Sequence, residues 1–186
     1  ASQDDDAIAW YENDGAADPS WTAADITTNV MDWPRSVFVA DFDNDGDMDI
    51  VSAFDDNTYN KLVWLENDGA ADPSWMLSEI STNVGPEQVF AADMDNDGDI
   101  DILGTSYSAG AISWYENNLP PTKTQTYTAA DIATSATEAI SVFAADMDGD
   151  GDMDIVSASV DDNTIAWYEN DGAADPSFTA ADIATS

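Results

Sequence analysis

The feature that most constrains this chain is a nine-residue run of alternating aspartates that occurs three times. The copies are Asp41-Phe42-Asp43-Asn44-Asp45-Gly46-Asp47-Met48-Asp49, Asp93-Met94-Asp95-Asn96-Asp97-Gly98-Asp99-Ile100-Asp101 and Asp146-Met147-Asp148-Gly149-Asp150-Gly151-Asp152-Met153-Asp154. Each places aspartate at positions 1, 3, 5, 7 and 9 and glycine at position 6. Five carboxylates so close together repel one another, and a folded loop of that charge density requires a cation to neutralise it. Oxygen donors at alternate positions suit a hard ion that takes roughly six to eight oxygens, Ca²⁺ ahead of Mg²⁺. Gly46, Gly98 and Gly151 predict a sharp turn with positive φ in each loop.

The loops are one marker of a longer repeat. They open at Asp41, Asp93 and Asp146, spacings of 52 and 53 residues. A segment of the type Trp-Tyr-Glu-Asn recurs at Trp10, Trp64, Trp114 and Trp167, with spacings of 54, 50 and 53. A third marker is Ala24-Asp25-Ile26, Ser78-Glu79-Ile80, Ala130-Asp131-Ile132 and Ala181-Asp182-Ile183. Three markers sharing one period establish a true repeat rather than a biased composition.

Within a unit the signals are all strand and turn. In the last copy a short apolar run, Ser141 to Ala145, enters the aspartate loop and a β-branched run, Asp154 to Ser159, leaves it. Asp161-Asp162-Asn163 is turn chemistry, Thr164 to Glu169 a third strand, and Ser177 to Ile183 a more polar fourth. The third strand is apolar on both faces: Leu62 and Trp64 point one way, Val63 and Leu65 the other. A sheet buried on both sides needs a neighbour on each side, and radially packed blades supply it. The expected fold is all-β, with propeller blades of four antiparallel strands. The units expected are a half blade over residues 1–28, carrying third and fourth strands only, and full blades over 29–82, 83–134 and 135–186. About three and a half blades are fewer than the roughly four to eight that close a ring. Either a longer propeller or an assembly of copies is implied, with a dimer favoured because two copies carry seven blades' worth of strands.

Composition narrows the function classes. The 186 residues carry 39 acidic and 3 basic side chains, a formal charge of −36 that three divalent ions would offset only in small part. Such a surface excludes nucleic-acid phosphate and anionic membrane as natural partners, and suits a salty setting. Apolar content of 44% and seven tryptophans argue for a packed core despite that charge. No cysteine is present, which removes disulfides and thiol chemistry, and no apolar run reaches the length of a membrane helix. Weak multi-aspartate sites match millimolar extracellular Ca²⁺, so a secreted or cell-surface location is expected.

Asp-x-Asp-x-Asp-Gly-x-x-Asp between two short strands, repeated in phase with Trp-Tyr-Glu-Asn, resembles the FG-GAP/VCBS repeat family, which includes the calcium-bearing blades of integrin α-subunits. The resemblance covers nearly the whole chain. It implies a β-propeller with Ca²⁺ in the loop joining the first and second strands of a blade. It further implies three sites, with side-chain ligands from positions 1, 3, 5 and 9: Asp41, Asp43, Asp45 and Asp49; Asp93, Asp95, Asp97 and Asp101; Asp146, Asp148, Asp150 and Asp154. Position 7 would contribute through the backbone carbonyls of Asp47, Asp99 and Asp152. An EF-hand shares the first six positions but requires Glu at position 12, where this chain has Ser52, Gly104 and Ser157. Zinc lacks its histidine and cysteine ligands.

Catalysis is not expected. There is no histidine or cysteine, and Arg35, Lys61 and Lys123 are the only basic residues. A carboxylate pair can still run glycoside hydrolysis, yet Glu12, Glu66, Glu116 and Glu169 recur at one repeat position, as structural residues do. Residues not copied between units are the better ligand candidates: Trp33, Pro34, Arg35, Tyr59, Lys61 and Tyr107. Two function classes result, a binding or adhesion module for carbohydrate or protein, and a scaffold that assembles into a complete propeller. A part in a carbohydrate-active enzyme ranks a distant third.

Overall fold

The computed structural model describes residues 1–2, 6–28, 33–54, 60–82, 85–118 and 126–184. Tyr59, Lys123 and most of the divergent third-copy loop lie outside them. Fourteen strands are present among the described residues. Strands β1 (Ala7–Asn13) and β2 (Trp21–Thr28) form a two-stranded antiparallel sheet. Three four-stranded sheets follow, each an antiparallel meander in chain order. They comprise β3 (Pro34–Ala40), β4 (Asp49–Phe54), β5 (Lys61–Asn67) and β6 (Trp75–Thr82); β7 (Pro86–Ala92), β8 (Asp101–Ser106), β9 (Ala111–Asn117) and β10 (Tyr127–Ala133); and β11 (Ala139–Ala145), β12 (Asp154–Ser159), β13 (Thr164–Asn170) and β14 (Phe178–Ala184). No helix occurs among the described residues, so none is long and apolar enough to cross a membrane.

The sheets are propeller blades, as the doubly apolar third strands predict. Leu62 and Trp64 face the β7–β10 blade in a core with Phe42, Val51, Val89, Ile102 and Tyr115. Val63 and Leu65 face the half blade in a core with Ile8, Ile50 and Phe54. Leu103, Ile112 and Trp114 pack likewise against Val142, Ile155 and Tyr168 of the last blade. Each fully buried aliphatic side chain contributes about 1.5–3 kcal/mol, so the inter-blade seams hold most of the apolar stabilisation. Near the inner edge Phe38, Phe90 and Phe143, one per blade, meet edge-on and tilted, with ring centroids 5.1 and 4.7 Å apart. Burial falls from β4 and β8, buried throughout, to β10 and β14, mostly exposed.

Local turns repeat as strictly as the strands. The residue eight before each aspartate loop has left-handed backbone: Trp33 (φ 56°), Gly85 (φ 52°) and Glu138 (φ 57°). In the linkers reading Asn-Asp-Gly-Ala-Ala-Asp-Pro-Ser, the aspartate accepts backbone N–H bonds within its own loop: Ala16 to Asp14 (3.0 Å), Ala70 to Asp68 (3.1 Å) and Ala173 to Asp171 (3.1 Å). Hydrogen bonds from Ser20, Ser74 and Ser177 help hold those three carboxyls below the ordinary carboxylate range.

Candidate metal centres

All three aspartate loops join the first and second strands of a blade, so they lie at one end of the blades. Their folding is dictated by carboxylates accepting backbone N–H bonds. In the first loop Asp41 accepts from Asp45 N (3.1 Å) and Gly46 N (3.0 Å), and Asp45 accepts from Asp47 N (2.9 Å). The second loop repeats this with Asp93, Asp97 and Gly98 at 3.1 and 3.0 Å and Asp97 to Asp99 N at 2.8 Å. In the third, Asp146 accepts from Gly149 N (2.7 Å) and Gly151 N (3.2 Å). The position-6 glycines have φ of 100°, 96° and 104°. A Cβ there would meet nothing within 4 Å, so the requirement for glycine is backbone conformation, not space. Position 4 is left-handed too, at Asn44 (φ 56°), Asn96 (φ 60°) and Gly149 (φ 83°). The choice of Asn and Gly, the residues that tolerate that region, was the available sequence clue.

Three groups of carboxylate oxygens converge to within 4.8 Å: Asp41, Asp43 and Asp45; Asp93, Asp95 and Asp101; Asp146, Asp148 and Asp150. These clusters can each hold a metal ion. The position-7 side chains do other work, since Asp99 accepts from Asn44 Nδ2 (2.8 Å) and Asp152 from Asn96 Nδ2 (2.9 Å). Those bonds tie each loop to the next.

Position 9 has a structural role that sequence spacing does not reveal. Asp49 accepts from Phe42 N (3.3 Å) and Asn67 N (2.8 Å). Asp101 accepts from Met94 N (3.0 Å) and Asn117 N (2.7 Å), and Asp154 from Met147 N (3.1 Å) and Asn170 N (2.9 Å). All three are buried. Each therefore clamps the start of its loop to the end of the third strand. Burial pushes Asp49 up to about 6 and Asp101 up to about 7, against the opposing pull of those N–H bonds. The indole N–H groups of Trp64 and Trp114 meet no acceptor at hydrogen-bond geometry, yet lie near enough to favour the ionised carboxylates. Burial also raises Asp95 and the hydroxyl of Tyr127, the latter helped by Asp49 and Asp101.

The asparagine ending each Trp-Tyr-Glu-Asn segment is a further residue the motif reading left without a role. Asn117 Nδ2 donates to Ile100 O of its own loop (3.1 Å) and to Phe42 O of the preceding one (2.9 Å). Asn170 does the same to Met153 O (3.0 Å) and Met94 O (2.9 Å). Both are buried, and their recurrence at one position was the clue.

A family model for the FG-GAP-like repeat matches residues 1–52, 41–104, 93–157 and 146–186, so every residue falls within a match. The chain belongs to the FG-GAP-like repeat family. Three of the four matches begin at the first aspartate of a loop, and three extend into the second strand that leaves one. The FG-GAP-like repeat thus brings each acidic cluster together with the strands that clamp it. A search of curated proteins gives no significant match.

The non-repeated residues lie away from the loops. Trp33 and Arg35 sit at the start of β3, the end opposite Asp41, with the guanidinium 5.9 Å from the Trp33 ring centroid. Arg35 also pairs with Glu87 of the next blade at 3.5 Å. Pro34 and Arg35 belong to strand β3 itself. The left-handed backbone of Trp33 is shared by Gly85 and Glu138, so it belongs to the repeat and not to a special site. Lys61 pairs with Glu79, and the Tyr107 hydroxyl bonds Glu138, which raises its pKa.

Proposed function

We propose that this chain is a calcium-stapled propeller module that recognises a carbohydrate or protein outside the cell, without catalysis of its own. The observation that carries the metal reading is the convergence of three carboxylates in each of three successive loops. All donors are hard oxygens, and no histidine or cysteine is available for a softer metal. Like charges at that separation favour binding of a divalent cation, which the side chains of positions 1, 3, 5 and 9 and the carbonyl of position 7 would hold. The ion would neutralise the loop and lock the first and second strands in register, while the position-9 aspartate fastens both to the third strand. Millimolar Ca²⁺ outside the cell suits such sites. Calorimetric titration tests this reading: three Ca²⁺ per chain and much weaker Mg²⁺ binding are expected, and no heat with either ion would refute it. For the ligand, Trp33 beside Arg35 is the exposed aromatic–cation pair. A glycan array in Ca²⁺ with Trp33→Ala as comparison tests that surface, and equal binding by both proteins removes it.

A second reading, assembly into a larger propeller, is favoured by two open faces. Val39 is 53% exposed on the first full blade and Phe143 is 55% exposed on the last, whereas Ala91 and Ala144 at the position of Val39 are 7% and 6% exposed.

A further inference from the structure

A polar cavity of about 460 Å³ lies in the seam between β10 and the last blade, within the ~300–1,000 Å³ of small-molecule sites. Tyr168 and Ser159, 5% and 7% exposed, line it together with Thr134, Ser135, Asp162 and Asp182. We propose that this cavity is a binding site for a saccharide that carries a free amine. The site gives a ligand class to the recognition reading above, on which it rests, but involves neither Trp33 nor Arg35 at the start of β3.

The equivalent seam one blade earlier shows what is missing here. There Tyr115 stands in the place of Tyr168, each opposite an isoleucine of its second strand, Ile102 and Ile155. Burial raises the pKa of the Tyr115 hydroxyl, and the neighbouring hydroxyls of Ser81 and Ser113 oppose that rise. Ser113 Oγ also donates to Asp131 (2.8 Å) on the adjoining outer strand. In the later seam both serines are alanines. Ala133 pairs with Ile112 as Ser81 pairs with Leu62, and Ala166 pairs with Asp182 as Ser113 pairs with Asp131. The cavity lies where those serine hydroxyls would stand, since Ala133, Ala166 and Asp182 line it with Tyr168. Asp182 thus lacks the donor that Asp131 has, and the buried Tyr168 hydroxyl has no hydrogen-bond partner among the described residues. A buried hydroxyl left without a partner costs free energy. A seam that keeps the tyrosine and discards both its partners is completed by a ligand that supplies them.

The lining selects the ligand. Thr134, Ser135, Ser159, Thr164 and Tyr168 each bring a hydroxyl, a group that both donates and accepts and so suits a polyol. Thr164 Oγ1 already donates to Asp162 O (3.2 Å) and is left to accept from the ligand. Thr164 N donates to the Asp162 carboxylate (3.2 Å), which holds that side chain at the exposed rim. Asp162 and Asp182 only accept, and neither lysine nor arginine lines the cavity, so an ammonium is favoured and an acidic sugar repelled. The formal charge of −36 adds to the same preference. Ile132, Ala136 and Ala180 offer apolar wall to the C–H face of a sugar ring. An alkylamine would satisfy the carboxylates and leave the hydroxyls unmatched, and a neutral sugar would do the reverse. An amino sugar meets both.

The test uses the full chain in millimolar Ca²⁺ and roughly 0.15 M salt, which screens attraction to the general acidic surface. Calorimetric titration compares the disaccharide of glucosamine with its N-acetylated form, a glucose disaccharide, and putrescine as an amine without hydroxyls. Saturable binding is expected from the glucosamine disaccharide, and binding on the order of tenfold weaker from the other three. Tyr168→Phe should weaken it several-fold with melting unchanged, because the hydroxyl removed has no protein partner to lose. Ala133→Ser with Ala166→Ser, which restores the arrangement of the earlier seam, should abolish binding and also leave melting unchanged. Asp182→Asn should narrow the preference for the amine over the glucose disaccharide. No saturable heat from the glucosamine disaccharide, equal binding of putrescine, or undiminished binding by Tyr168→Phe or the double serine variant overturns the site. Trp33→Ala should bind as wild type does, and loss of binding there moves the sugar to the Trp33 surface and overturns the cavity. Failure of the cavity leaves the Trp33 surface to its own glycan array, so the two readings fall separately.

Discussion

Asp101 separates the two roles that the alternating aspartates combine. Its buried carboxylate accepts the N–H groups of Met94 and Asn117 at 3.0 and 2.7 Å and also belongs to a cluster that can hold a metal. Asp101→Ala leaves two buried donors without partners. At about 1–3 kcal/mol for each unsatisfied group, the loss is about 2–6 kcal/mol. For a chain of this size a loss of 1 kcal/mol lowers the melting temperature by about 2–4 °C, so a fall on the order of 10 °C is expected. The fall should appear in EDTA as well as in Ca²⁺, because the clamp operates without an ion. Asp97→Ala, at an exposed loop position, should leave melting in EDTA almost unchanged and reduce only the gain from Ca²⁺. The assay is thermal unfolding by circular dichroism of wild type and both variants under both conditions. If Asp101→Ala melts like wild type in EDTA and differs only in Ca²⁺, position 9 is a ligand and nothing more, and the clamp is refuted.

Free Ca²⁺ at about 100 times Kd should stabilise the fold by roughly 2.7 kcal/mol per occupied site, and equal melting in EDTA and millimolar Ca²⁺ would contradict the metal reading. The raised values of Asp49 (about 6) and Asp101 (about 7) mean that folding of the metal-free chain disfavours their ionised forms. Their contribution is thus most favourable below the unfolded pKa and is lost as pH rises through about 6 to 7, so the metal-free chain should melt higher at pH 5 than at pH 8. Calcium should reverse that order, because binding requires the ionised carboxylates; calorimetry across the same range reads the affinity loss at low pH. Asn170→Ala removes the amide bonds to Met94 O and Met153 O and should cost about 1–3 kcal/mol in urea unfolding, more than Asn13→Ala at an exposed position.

Much of the fold was legible because the repeat states the same information several times. The doubly apolar run Leu62 to Leu65 required a neighbour on each side, and the seams on either face of β5 supply them. Gly46, Gly98 and Gly151 predicted the turn, since no other residue adopts that φ as readily. The partners of the Asn67, Asn117 and Asn170 amides were not legible, although the asparagines recur at one position. Their acceptors are backbone carbonyls, which carry no sequence identity, and two lie 75 and 76 residues away. Trp33 is the opposite case: an unusual residue occupies an ordinary turn of the repeat, at the end of the blade away from the acidic loops.

The sequence by itself determined the all-β repeat, the strand order within each unit and the acidic loops, because period, turn chemistry and alternation are local properties. Tertiary structure alone decided which aspartates converge and which act as clamps, because only packing separates the buried position 9 from the exposed position 5 when both are the same residue. It also decided that one face of the half blade stands open beside Val37 and Val39. In sequence Val37 is indistinguishable from its buried counterparts Val89 and Val142, since what differs is the neighbour that covers it.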